Sequence, residues 1–269
     1  MNNPSKKPRL NPPLIFLLIL FKQQITSILS RQKYKNSPLL LGGLLGLMLS
    51  CQSSEGDPTP VHGAPPAELH YLALGNSYTI GTAIPNHQRY PSLLADSLMQ
   101  AHRYKTTYLR IIARNGWTTT DLLRGLDTSR VDSNYQLVTL LIGVNNQYQG
   151  LPLPLYHLEM RLLIQRAIAH ARGQPSRVLV ISIPDWSATP SGRGQHDSVA
   201  AAIDRYNAVN RHLSDSLGTG YAAITALSRT ALGHPALVAA DSLHFSGPMH
   251  QRWLPLLFRR SDSLLRRHW

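Results

Sequence analysis

Apolar side chains recur along this chain in two spacings whose alternation predicts its architecture. Residues 69–75, Leu-His-Tyr-Leu-Ala-Leu-Gly, lack the polar alternation of a half-solvated strand and predict a buried parallel strand opening into a loop. Residues 108–113 predict a second strand, and 137–142, an unbroken Leu-Val-Thr-Leu-Leu-Ile, a third. Residues 177–183 and 222–227 predict a fourth and a fifth. Between the strands the spacing becomes helical. Leu93, Leu94 and Leu98 mark a helix over 89–101, and Thr118, Thr119 or Thr120 caps a short one over 121–126. Leu155, Leu158 and Leu162 mark a helix over 155–171 with Gly173 as its C-cap. Val199, Ile203, Tyr206, Val209 and Leu213 mark another, and Trp253, Leu257 and Leu264 a final one over 248–267. The alternation predicts an α/β fold: a three-layer α/β/α sandwich with a mainly parallel five-stranded sheet, forming one domain over 68–269.

The pattern before residue 68 is different. Residues 39–49 are all leucine, glycine or methionine and follow Arg31, Lys33 and Lys35, the basic-then-apolar layout of a secretory signal and too short to span a bilayer comfortably. Small Ser50 then precedes Cys51, the only cysteine, which excludes an intrachain disulfide and a cysteine-rich metal site. Met48-Leu49-Ser50-Cys51 resembles a bacterial lipobox, with Met48 in place of the usual leucine, and implies acylation at Cys51. Residues 1–50 are therefore expected to be a signal segment and 51–67, rich in Ser, Gly, Pro and Asp, a flexible tether. This layout implies a lipid-anchored protein of the bacterial cell envelope, outside the cytoplasm and in either membrane. A second apolar run over 12–21 is either an additional hydrophobic segment or lies upstream of the true translation start.

A formal charge of +13 invites a nucleic-acid reading, which its distribution opposes. Seven of the 27 basic residues and none of the 14 acidic ones lie in residues 1–50, so the rest of the chain carries a scattered excess of six. It has no basic patch interleaved with aromatics and no zinc-finger spacing, and nucleic acid is not expected as a partner.

Chemistry-bearing residues follow the strands. Ser77 lies between Gly75 and Gly81 after the first, Asn115-Gly116 after the second, and Gly143-Val144-Asn145-Asn146 after the third. Asp241-Ser242-Leu243-His244 precedes the last helix. The four stretches, in this order, resemble the sequence blocks of the SGNH, or GDSL-like, hydrolase superfamily, over nearly the whole of residues 69–269. The resemblance implies a flavodoxin-like fold and a serine esterase. Ser77 would be the nucleophile, His244 its general base and Asp241 the carboxylate that orients the histidine. The backbone N–H groups of Ser77 and Gly116 and the side-chain amide of Asn145 would form the oxyanion hole.

Two positions depart from the family pattern. Asn76 stands where aspartate commonly precedes leucine-flanked serine, and Asn146 where aspartate commonly follows the donor asparagine. Both changes touch supporting hydrogen bonds and specificity more than reaction type. Asn146 is a candidate pocket residue, and Asp185 and Trp186 after the fourth strand either shape the pocket or form a turn. No cofactor and no metal is expected, since no His/Asp cluster has ligand spacing. The expected substrate is a small-molecule, lipid or carbohydrate ester, with acetylated carbohydrate, short-chain ester and lysophospholipid all open, and thioesterase or peptidase chemistry would use the same residues. A noncatalytic ligand-binding lipoprotein on the same fold is the alternative. The oligomeric state is not legible.

Overall fold

The computed structural model describes residues 67–102 and 104–268. The chain divides into two compact units, Met1–Pro58 and Thr59–Trp269, and every described residue belongs to the second. The expected signal segment, the acylated Cys51 and residues 51–66 of the expected tether lie outside the described residues.

Five strands form one sheet in which every pairing is parallel: β1 (Glu68–Gly75), β2 (Thr106–Ala113), β3 (Leu137–Leu141), β4 (Val178–Ile181) and β5 (Gly220–Ala222). Their order is β2-β1-β3-β4-β5, so the chain reverses direction across the sheet between β1 and β3. Open α/β sheets bind ligands at the strand carboxyl ends beside such a reversal. Here Gly75 pairs with both Ala113 and Leu141, so β1, β2 and β3 end level and their following loops emerge side by side.

Eight helices flank the sheet among the described residues: α1 (Ser77–Ile80), α2 (Tyr90–His102), α3 (Thr119–Thr128), α4 (Val144–Tyr148), α5 (Leu153–His170), α6 (His196–Leu217), α7 (Thr225–Arg229) and α8 (Gly247–Leu265). Helices α2 and α8 pack on each other and on the sheet, while α5 packs on both α3 and α6, which gives the three layers. All five residues of β3 are buried, as are all four of β4, which is why neither shows polar alternation. Trp253 and Leu257 of α8 are wholly buried in the same core.

The fifth strand differs from expectation. It ends at Ala222, and the apolar stretch after it turns into α7. The cause is polar capture of the backbone at that point. Ser182 Oγ accepts from the N–H of Ile224 and of Thr225, and Thr225 Oγ1 donates to the Ile183 carbonyl 2.9 Å away. Those groups are therefore lost to a strand ladder. The helix expected over 121–126 begins two residues earlier, because Thr118 and Asp121 close a reciprocal capping box around its first turn.

Candidate active site

Gly75 and Asn76 determine how Ser77 is presented. A Cβ at Gly75 would collide with Thr79 Oγ1 and with the Leu141 carbonyl, so only glycine lets α1 start this close to β3. Asn76 Oδ1 accepts the Tyr78 N–H at 3.1 Å and caps α1, while Asn76 Nδ2 is buried without a partner. Gly81 closes the helix in the left-handed conformation at φ 77. Ser77 is thereby fixed on the first turn after β1, 5% exposed.

Asp241 and His244 sit on a turn between Leu237 and α8. Val238 and Phe245 form an antiparallel bridge, and the Ala239 N–H donates to the His244 carbonyl at 2.8 Å, which brings Asp241 back over His244. Asp241 Oδ1 accepts the backbone N–H groups of Leu243 and His244, and Oδ2 lies 2.6 Å from His244 Nδ1. Burial pushes the Asp241 carboxyl up, but these hydrogen bonds outweigh it and hold the group below the ordinary carboxylate range. An ionised carboxylate only accepts, so Nδ1 carries the proton and Nε2 is left for the cleft. The His244 ring meets Tyr78 edge-on with centroids 5.4 Å apart, joining this turn to α1.

The second and third loops are tied to the first and to each other. Gly116 is exposed with φ 76, and a Cβ there would meet nothing, so its glycine serves backbone conformation rather than close packing. Thr82 Oγ1 donates to Asn115 Oδ1 at 2.6 Å, linking the loops after β1 and β2. Asn145 Nδ2 donates to the Trp117 carbonyl at 2.9 Å, linking the loops after β2 and β3. That bond uses one of two amide hydrogens and leaves the other as a donor.

Ser77, Asn145, Trp186 and His244 line one cleft of about 120 Å³ together with Tyr78, Val144, Tyr148 and Leu243. Gly116 is not among the residues that line the cleft; it precedes Trp117, whose carbonyl accepts from Asn145. Two pocket candidates are turned away from it. Asn146 is wholly buried because its side chain grips Thr119, taking the Thr119 N–H at 3.0 Å and donating to Thr119 Oγ1 at 2.6 Å. Asp185 is wholly buried because it is paired with Arg229 at 2.7 Å and caps residues 186–188 through Ser187. Both support loops that face the cleft without facing it themselves.

Tyr148 and Leu243 escaped the sequence reading. Tyr148 is 62% exposed yet packs on Trp186 with centroids 5.2 Å apart, and Trp186 Nε1 donates to Gln147 Oε1. Its position a few residues beyond the third strand end was the available signal.

A larger cavity of about 330 Å³ lies between residues 187–196 and 231–238. Ser187, His196 and Asp185 meet at its edge, residue types that suggest a second nucleophile. Their connectivity argues otherwise. Ser187 Oγ donates to Asp185 Oδ1 at 2.6 Å, and His196 Nδ1 lies 2.9 Å from that hydroxyl rather than between serine and carboxylate. Among the described residues no group of three or more His, Cys, Asp or Glu side chains converges as a metal-ligand set, and no helix is long and apolar enough to cross a membrane.

A parallel sheet of order β2-β1-β3-β4-β5, with serine, glycine and asparagine beyond its first three strands and an Asp-x-x-His turn before the last helix, is the architecture of the SGNH ester hydrolases. The chain belongs to the GDSL-like lipase/acylhydrolase family, whose model matches residues 73–252. Solved structures agree in fold. A lipase/acylhydrolase from Enterococcus faecalis superposes with a TM-score of 0.59 at 17% identity, over 72% of this chain and 96% of that one. An acetylxylan esterase from Geobacillus stearothermophilus gives 0.56 at 15% identity, over 72% and 94%. A hydrolase from the metagenome of Lake Arreo, Spain, gives 0.56 at 19%, over 76% and 98%. No curated protein matches the chain in sequence.

Proposed function

We propose that this chain is a serine esterase that transfers short acyl groups from carboxylic esters to water through an acyl-enzyme. The observation that carries this reading is the 2.6 Å contact between His244 Nδ1 and Asp241, on a turn whose His244 lines the same cleft as Ser77 and Asn145. An alcohol becomes a competent nucleophile at neutral pH when a base takes its proton. Ser77 Oγ adds to the ester carbonyl carbon while His244 Nε2 receives the hydroxyl proton, and Asp241 remains ionised to favour the imidazolium. The charge on the carbonyl oxygen is met by the N–H groups of Ser77 and Gly116 and by the free amide hydrogen of Asn145. Collapse breaks the bond to the alcohol oxygen, which takes the proton from His244 and leaves Ser77 acylated. Water then attacks the acyl carbon, losing a proton to His244. The second collapse releases the carboxylic acid and returns that proton to Ser77.

The cleft of about 120 Å³ closed by Tyr148, Trp186, Val144 and Leu243 supports a short acyl group over a long chain. The acetylxylan esterase of like fold supports acetylated carbohydrate as one substrate class to test. The apolar run over 39–49 and Cys51 support a lipid-anchored enzyme of the cell envelope. The test is turnover of acetyl, butyryl and long-chain esters by the full chain beside Ser77→Ala and His244→Ala. We expect acetyl and butyryl esters to be cleaved and each substitution to lower kcat by about a thousandfold or more in a folded protein. Turnover that survives Ser77→Ala, or a folded parent inactive on every ester, overturns the proposal.

A further inference from the structure

The turn that carries Asp241 and His244 includes a residue in an unfavourable conformation. Ser242 has φ 63, in the left-handed region where a side chain's Cβ crowds the backbone. The turn's own hydrogen bonds run within residues 239–244: Asp241 Oδ1 to the next two N–H groups, Ser242 N–H to the Ala239 carbonyl, and Ala239 N–H to the His244 carbonyl. Such a conformation persists where its surroundings over-determine it.

The surroundings act on one atom. The Ser242 carbonyl accepts both the N–H of Ser191 at 3.1 Å and the Ser191 hydroxyl at 2.9 Å, from a segment fifty-one positions away in sequence. Ser191 is itself firmly set. It is the middle residue of the one-turn 3-10 segment Pro190–Gly192, where proline fixes the entry and a Cβ at Gly192 would collide with the Ser187 backbone. The two donors therefore form a rigid bracket on the peptide that joins the orienting carboxylate to the base.

We propose that Ser191 is a positioning residue for the catalytic turn, holding the Ser242 peptide in the left-handed conformation that sets His244 in the cleft with Ser77. This rests on the serine-esterase reading of the cleft. Ser191 touches neither substrate nor reacting atoms, so its loss acts on kcat through the alignment of His244 and leaves KM alone. The Ser242 side chain makes the conformation costly, and glycine at 242 would make it free. The contribution of Ser191 therefore depends on what occupies position 242.

The experiment measures kcat and KM for an acetyl ester in the full chain and in Ser191→Ala, Ser191→Thr, Ser242→Gly and the double variant Ser191→Ala/Ser242→Gly. Loss of one solvent-accessible hydrogen bond predicts a kcat about threefold lower in Ser191→Ala with KM unchanged. Threonine keeps the hydroxyl and recovers most of that loss. With glycine at 242 the same Ser191→Ala step costs less than about 1.5-fold, a coupling that a merely structural contact would not produce. An equal penalty in both backgrounds, a penalty in KM, or no penalty overturns the inference. A second measurement does not need turnover: hydrogen exchange of the His244 Nδ1 proton, followed by NMR in histidine-labelled full chain. It should speed up in Ser191→Ala and not in the double variant relative to Ser242→Gly. Absence of Ser77-dependent turnover would count against the esterase reading alone, whereas unchanged ring-proton exchange would count against Ser191 alone.

Discussion

Asn146 and Thr119 are joined by two hydrogen bonds, and the second of them explains why position 146 is an amide. Thr119 Oγ1 lies 2.5 Å from Glu159 Oε2, and its one proton goes to that carboxylate. The hydroxyl can then only accept from Asn146, 2.6 Å away on its other side, and an aspartate there would have no proton to offer. The departure from the family's usual aspartate is thus matched by Glu159. Asn146→Asp should lower the unfolding free energy by about 2 kcal/mol, the cost of leaving a buried polar group badly paired. Asn146→Asp/Glu159→Gln should regain most of it, because glutamine can give the hydroxyl a donor. Urea unfolding of the four chains closes the cycle, and additive losses would refute the coupling.

Tyr148 and Trp186 bound the cleft on one side, so they should set the length of acyl chain it admits. Trp186→Ala is expected to shift the ratio of kcat/KM for hexanoyl over acetyl esters upward by about tenfold, the discrimination available from a methylene or two in an apolar pocket. A ratio unchanged in Trp186→Ala and in Tyr148→Ala would mean that the acyl group lies elsewhere.

His250 gives stability a defined dependence on acid. It is buried against Trp253, its Nδ1 accepts the Tyr90 N–H that opens α2, and burial with the nearby His244 lowers its pKa to about 3. Between that value and the unfolded value near 6.5 the unfolded chain binds a proton that the folded chain refuses. The His250 contribution to stability is therefore full above about pH 6.5 and falls by about 1.4 kcal/mol per pH unit on acidification toward pH 3. His250→Gln keeps an acceptor for Tyr90 and removes the titration. Its stability measured by urea at pH 7, 6, 5 and 4 should fall less steeply than the parent's by about one proton.

Cys51 should decide where the protein is found. Full-length chain expressed in bacteria is expected to fractionate with membranes and to incorporate labelled palmitate, and Cys51→Ser to lose the label and appear in the soluble fraction. Label retained in Cys51→Ser would place the acyl chain elsewhere.

Much of this arrangement was legible because β3 and β4 are buried throughout and β1 is buried from Tyr71 onward, so that each appears as a largely apolar run ending in a glycine or a polar turn. Ser77, Asn145 and His244 could be picked out because each follows such a run or stands in a short ordered block. Legibility failed where polar side chains act over long separations. Ser182 ends β5 from forty residues upstream, and nothing local to Ala222 announces it. Asn146 and Asp185 look like cleft residues from their places after strands, yet their partners Thr119 and Arg229 draw them inward. Tyr148 joins the cleft only through its packing on Trp186, a residue thirty-eight positions later. Periodicity records which face is apolar and is silent about which polar atom has found a distant partner.

The level ending of β1, β2 and β3 has a consequence in time as well as in space. Ser77, Gly116 and Asn145 are synthesised before the turn bearing Asp241 and His244, and α8 follows that turn. On the serine-esterase proposal, a nascent chain that has reached only β5 carries the serine without its base and should be inert toward esters. By the same proposal, truncation within α8 before Trp253, which packs edge-on against Phe245 beside His244, should leave a chain with its sheet residues and little ester turnover.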